Sequence, residues 1–132
     1  MDTFPREKRK ELIKAKCLKK THHEPSFQGT DVKHRIDFKF RFANSYKKDI
    51  RAFAGNLLVK DLFDELVFTI SMKVQDPIRA NGTYNWEGGI EYNYFIQDQV
   101  KLNNLPLKDM KVEFVTKSVI FTDGTKQDYE NS

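Results

Sequence analysis

The chain has 132 residues, of which 39% are hydrophobic and 32% charged, with 11 Phe and 5 Tyr. That length suits one domain whose core holds without staples, and the composition excludes a disordered polypeptide. One cysteine, Cys17, excludes an internal disulfide framework, and no apolar run approaches the length of a transmembrane helix.

The net charge of +4 is uneven. Residues 1–20 carry eight basic and three acidic side chains, a balance of +5, which leaves the other 112 residues at −1. A near-neutral body argues against a basic fold that tracks nucleic acid along its surface. The excess instead marks an arm that attracts anionic partners through Arg6, Arg9, Lys10, Lys14 and Lys16. The opening MDTFPREKRKELIKAKC lacks the uninterrupted apolar region of a signal peptide.

Taken in chain order, residues 1–20 read as a short basic helix. Thr3 stands at the cap, Pro5 in the first turn, and the lysines follow Glu7, which suits the helix dipole. The apolar set Leu12, Ile13, Ala15, Cys17 and Leu18 is a small face that needs a surface to dock on. A linker over 21–30 follows, with Pro25 and Gly29, so residues 1–30 form arm and linker.

A period of two then sets in. Val32, His34, Ile36, Phe38, Phe40 and Phe42 share one face and Lys33, Arg35, Asp37, Lys39 and Arg41 the other, the pattern of a half-buried strand. The basic stripe reads as a solvated face or a protected edge, because the aromatic residues have the opposite parity. The next strand, Ile50 to Val59, changes parity near Gly55, which predicts a bulge or a bend where the strand passes between sheets. Asp61 then predicts a carboxylate that accepts hydrogen bonds from turn N–H groups.

Leu66, Phe68, Ile70, Met72 and Val74 form a third strand, and Tyr84, Trp86, Ile90 and Tyr92 a fourth interrupted at Gly88-Gly89. Residues 93–109 hold a short helical turn before Pro106. Met110, Val112 and Phe114 form a fifth strand, Val119 and Phe121 a sixth ending at Asp123-Gly124-Thr125, and 126–132 a polar fraying tail. Six short strands without alternating helices indicate an all-β antiparallel sandwich over 31–125, of the immunoglobulin type and preceded by the basic arm.

No nucleophile elbow, phosphate loop or zinc-protease motif occurs, so the reading is of a protein that is not an enzyme and has no cofactor. Cys17, His22, His23 and Glu24 lack the spacing and count of a zinc site. The lysines around Cys17 would lower its thiol pKa. Asp61, Asp64, Glu65, Glu87 and Glu91 read as turn acids. Trp86 reads as core in such a sandwich, and if Gly88-Gly89 opens the strand, the aromatic patch of Tyr84, Trp86, Tyr92 and Tyr94 is the candidate recognition surface.

Three stretches, DIRAFAGNLLVKDLF, DPIRANGTYNWEGGIEYNYF and LPLKDMKVEFVTKSVIFTDGT, resemble the small immunoglobulin-like domains of bacterial envelope lipoproteins, close to the FxLYD type. Leu57, Val59, Lys60 and Asp61 stand at the signature's Phe, Leu, Tyr and Asp, with Asp61 identical. Ile78 and Gly82 fit the turn and Trp86 the aromatic position. Cys17 follows Ile-Lys-Ala-Lys rather than a lipobox, a departure from the lipidated pattern. The resemblance implies a non-catalytic protein-binding or structural module of the cell envelope. The alternative is a binder of nucleic acid or an anionic surface through the arm.

Overall fold

A computed structural model describes residues 12–23, 35–91 and 96–129. The elements are β1 (Ile13–His23), β2 (Arg35–Asn44), β3 (Ile50–Lys60), β4 (Leu66–Val74), β5 (Thr83–Glu91), helix α1 (Gln97–Asn104), a 3₁₀ turn (Leu107–Asp109), β6 (Lys111–Phe121) and β7 (Lys126–Asp128). They form two antiparallel sheets, one of three strands ordered β1-β2-β5 and one of four ordered β4-β3-β6-β7. The expected all-β architecture is present.

The two inner faces meet in one core. In β2 the side chains of Ile36, Phe38, Phe40 and Phe42 are buried and their alternates are not, as the period of two predicted. The four-stranded sheet supplies Phe53, Leu57 and Val59 from β3, Met72 and Val74 from β4, and Phe114, Val119 and Phe121 from β6. Three rings lock the layers together. Phe42 of one sheet meets Phe53 and Phe114 of the other edge-on, with centroids 5.3 and 5.4 Å apart, and Phe53 meets Phe114 at 5.5 Å.

Gly55 makes that triad possible. A Cβ at this position would lie 2.7 Å from the Phe114 ring and 2.3 Å from the Val115 carbonyl oxygen. The bulge expected in β3 at Gly55 lies elsewhere: beside Gly55 the extra residue is Lys117 of β6, and the extra residue of β3 is Arg51, where the parity of Ile50 gives way to that of Phe53. The expected passage between sheets is absent: β3 pairs with β6 from Ile50 to Lys60 and with β4 from Phe53 to Lys60, inside one sheet.

Four expectations are corrected. The helix expected over 1–20 and the linker expected over 21–30 give way, from Ile13 to His23, to strand β1, running antiparallel to β2 from Ile13 opposite Asn44 to His23 opposite Arg35. Ile13, Ala15 and Cys17 turn to the core while Lys14 and Lys16 face out, and ladder pairing outweighs a helix with so small an apolar face. Residues 1–11 lie outside the described residues. Strand β5 runs unbroken through Gly88-Gly89, because a Cβ at Gly88 would strike the Trp86 indole at 2.4 Å and glycine lets the ring fold along its own strand. The expected fifth and sixth strands are one, β6, carried past its bulge at Lys117. Residues 126–128 of the expected tail pair with β6 as β7.

Asn44 fixes one end of the sandwich. It is 2% exposed. Its Nδ2 approaches the carbonyl oxygens of Lys48 at 2.9 Å, Ile78 at 3.1 Å and Arg79 at 3.2 Å, and its Oδ1 accepts from Tyr46 N at 2.8 Å. Both segments it binds carry the chain from one sheet to the other. Asn44→Ala removes all of these contacts at a buried position and takes from the Tyr46 amide the acceptor it has here, so it lowers unfolding free energy by about 2–4 kcal/mol in urea titration.

Candidate binding surfaces

The sandwich separates the sequence-predicted residues onto different faces. Trp86 points inward, half-buried, and stacks on Phe40 with centroids 5.7 Å apart and planes 19° from parallel. Tyr84 shares that face, and its hydroxyl donates to the Asp76 carboxylate, a bond that lifts its pKa to about 12. The two therefore build the core's margin. Tyr92 and Tyr94 lie outside the described residues, as do Arg6, Arg9 and Lys10 of the predicted arm.

Lys14 and Lys16 are exposed on the outer face of β1. The β1–β2 register sets Lys16 opposite Arg41, and beyond a shift after Cys17 it sets Lys19 opposite Lys39. Arg41 Nε donates to Asn85 Oδ1 at 3.2 Å, Arg35 pairs with Asp37 at 3.0 Å, and Lys39 approaches Glu87 at 3.8 Å. A shallow depression of about 390 Å³ opens here, lined by Lys19, Thr21, Arg35, Asp37, Lys39 and Glu87 among others. The basic stripe of β2 is a solvent face, as its parity predicted, and β1 doubles it.

The β3–β4 turn, at the end of the sandwich away from Asn44, is built as expected. Asp61 Oδ1 accepts from Phe63 N at 2.8 Å and from Glu65 N at 3.0 Å, and Asp61 N donates to Glu65 O at 3.0 Å. Asp64 adopts φ 62° at the turn, and Lys111 Nζ binds its carboxylate at 3.2 Å. This frame holds Phe63 in solvent at 86% exposure, with Leu62 and Leu66 each at 58%. The sequence reading saw the acids here but not the apolar tip they carry.

Two long-range roles were also missed. Lys20 faces inward after the β1 bulge, and its Nζ donates to the carbonyl oxygens of Leu102 at 2.8 Å, Asn103 at 3.0 Å and Leu105. These oxygens end helix α1, so the ammonium meets the negative end of the helix dipole and ties α1 to β1. Burial lowers the Lys20 pKa, with the neighbouring Cys17 acting the other way. At the other end, the Tyr46 and Tyr129 hydroxyls share a hydrogen bond of 2.6 Å, and burial followed by that bond pushes the Tyr46 pKa up.

Cys17 corrects the expected thiol chemistry. Its Sγ donates to the Lys19 carbonyl at 3.4 Å, and burial pushes its pKa to about 11 against the weaker opposing pull of that contact and of Lys20. Among the described residues no three His, Cys, Asp or Glu side chains group to hold a metal ion, and no helix is long and apolar enough to cross a membrane.

No protein family matches the chain, and no curated protein does. One solved structure is similar, the X-ray structure of Northeast Structural Genomics Consortium target SoR45. It is 11% identical, the match covers 91% of this chain and 82% of that one, and the TM-score is 0.47.

The rise of the Cys17 pKa from 9.0 to about 11 cuts its thiolate fraction at pH 8 about a hundredfold. Alkylation by iodoacetamide at that pH is expected to be slower by about that factor in native protein than in urea-unfolded protein. Equal rates in the two states contradict the placement of Cys17.

Proposed function

We propose that the chain is a non-catalytic, immunoglobulin-like binding module of a bacterial cell envelope protein, and that it recognises another protein through the turn between β3 and β4. The observation that carries this reading is the held exposure of Phe63 at 86%. A large apolar ring in water is ordinary when its loop moves. Here Asp61 binds two turn amides and Lys111 pairs with Asp64, so the backbone that carries the ring is held in one turn. Ordering the tip in advance reduces what a partner must spend on ordering it, and exposed apolar clusters with a polar rim mark docking sites. Asp61, Asp64 and Glu65 supply that rim, which favours a partner with an apolar pocket and a basic border. The resemblance to envelope lipoprotein domains at Asp61, Ile78, Gly82 and Trp86 supports the architecture and the compartment proposed.

The test is affinity capture from a bacterial envelope extract with the intact chain and with the Leu62→Ser/Phe63→Ser variant. The variant is expected to unfold at the wild-type temperature, because both side chains are exposed. A protein retained by the wild type is expected to be lost by the variant and weakened by Asp61→Ala, which frees the turn amides at a cost of about 1 kcal/mol in stability. Retention of the same proteins by wild type and the tip variant contradicts the reading.

A further inference from the structure

We propose a second binding surface, independent of the tip: the outer face of β1 and β2 docks on an anionic phospholipid bilayer. This face carries a stability cost. Like charges directly opposite each other across an antiparallel pair are destabilising. The β1–β2 ladder contains two such pairs, Lys16 with Arg41 and Lys19 with Lys39. Lys14, Lys16 and Lys19 are exposed and make no ion pair among the described residues. A solvated strand face needs some charge, but not charges of one sign set against each other, and an anionic partner removes the repulsion.

The shape of the face selects among anionic partners. Its phenylalanines, Phe38, Phe40 and Phe42, are all on the inner side, so no ring is available to stack with bases and the face does not suit single-stranded nucleic acid. A duplex is a convex rod read by elements that enter its grooves, and a sheet face meets only a narrow strip of its phosphates. A bilayer is a plane of phosphates, which two neighbouring cationic strands meet together. Cations on one strand face recur about every 6.8 Å and the neighbouring strand lies about 4.8 Å away, close enough to act together within the screening length of about 8 Å at physiological salt. The depression beside Lys19, Arg35 and Lys39 also holds Asp37 and Glu87, which engage Arg35 and Lys39, so of its cations Lys19 is the one left for a headgroup phosphate. Of the acids on this face, Asp37 is on β2, paired with Arg35, and Glu87 and Glu91 are on β5 beyond it, so the sheet approaches the membrane with β1 foremost.

Co-sedimentation of the intact chain with vesicles tests this. Phosphatidylcholine vesicles are compared with vesicles of phosphatidylcholine and phosphatidylglycerol, each at low and at physiological salt. Binding is expected to require phosphatidylglycerol and to weaken with salt. An anionic leaflet attracts each nearby cation strongly enough that losing one lowers partitioning about fivefold, so Lys16→Gln/Lys19→Gln is expected to lower it about 25-fold. Lys73→Gln/Lys117→Gln, on the other sheet's outer face, is the control and is expected to partition as the wild type does. The proposal is overturned by equal binding to both vesicle types, by no binding to either, by wild-type partitioning of Lys16→Gln/Lys19→Gln, or by duplex DNA displacing the vesicles at equal phosphate concentration. The tip variant Leu62→Ser/Phe63→Ser is expected to bind vesicles as the wild type does, so a failure of the protein-docking reading leaves this one standing.

Discussion

The contact between the Phe114 ring and the bare backbone of Gly55 is the constraint on which the sandwich depends. Strand β3 lies between β4 and β6, and its inner face must hold Phe53, Leu57 and Val59 against the opposite sheet. Phe114 reaches Phe42 and Phe53 at once because position 55 leaves its space open. The register shift of β6 beside Gly55, with Lys117 as the extra residue, lets Phe114 before it and Val119 and Phe121 after it all face the core. A side chain there would meet a main-chain oxygen, which cannot move aside as the end of a flexible side chain can.

The rest of the structure fixes what this contact brings together. Asn44 ties the two crossing segments at one end, and Lys20 holds the end of α1 at the other. With both ends fixed by buried and half-buried polar bonds, the outer surfaces are free to differ. One end of the four-stranded sheet carries the apolar tip with its acidic rim. The outer face of the three-stranded sheet carries the cationic rows of β1 and β2. A rigid scaffold that presents loops and faces of separate chemistry is a common basis for binding.

Features with local causes were legible in the sequence. The alternation from Ile36 to Phe42 and from Leu66 to Val74 marks β2 and β4 because half-buried strands impose a period of two. Asp61 was readable as a turn acceptor because its partners are two and four residues away. Features that depend on distant partners were not. Ile13, Ala15 and Cys17 alternate as a strand does, but the lysines between them also suit a helix, and the ladder with β2 decides between the two. Lys20 finds its carbonyl partners more than eighty residues later, and no local pattern announces that. Gly88 looked like an interruption because glycine weakens a strand, whereas here it accommodates the Trp86 ring two residues away. Of the candidate aromatic surface, Tyr84 and Trp86 serve the core. The exposed tip was hidden among acids whose turn role was read correctly.

The most direct test of the architecture is the unfolding free energy of Gly55→Ala, measured by urea titration beside the wild type. The single methyl meets the Phe114 ring and the Val115 carbonyl, and overpacking of this kind costs about 1–3 kcal/mol. The expected result is a loss in that range with an unchanged denaturant slope. A Gly55→Ala protein as stable as the wild type would contradict it, because the close approach that joins the two sheets would then not be required.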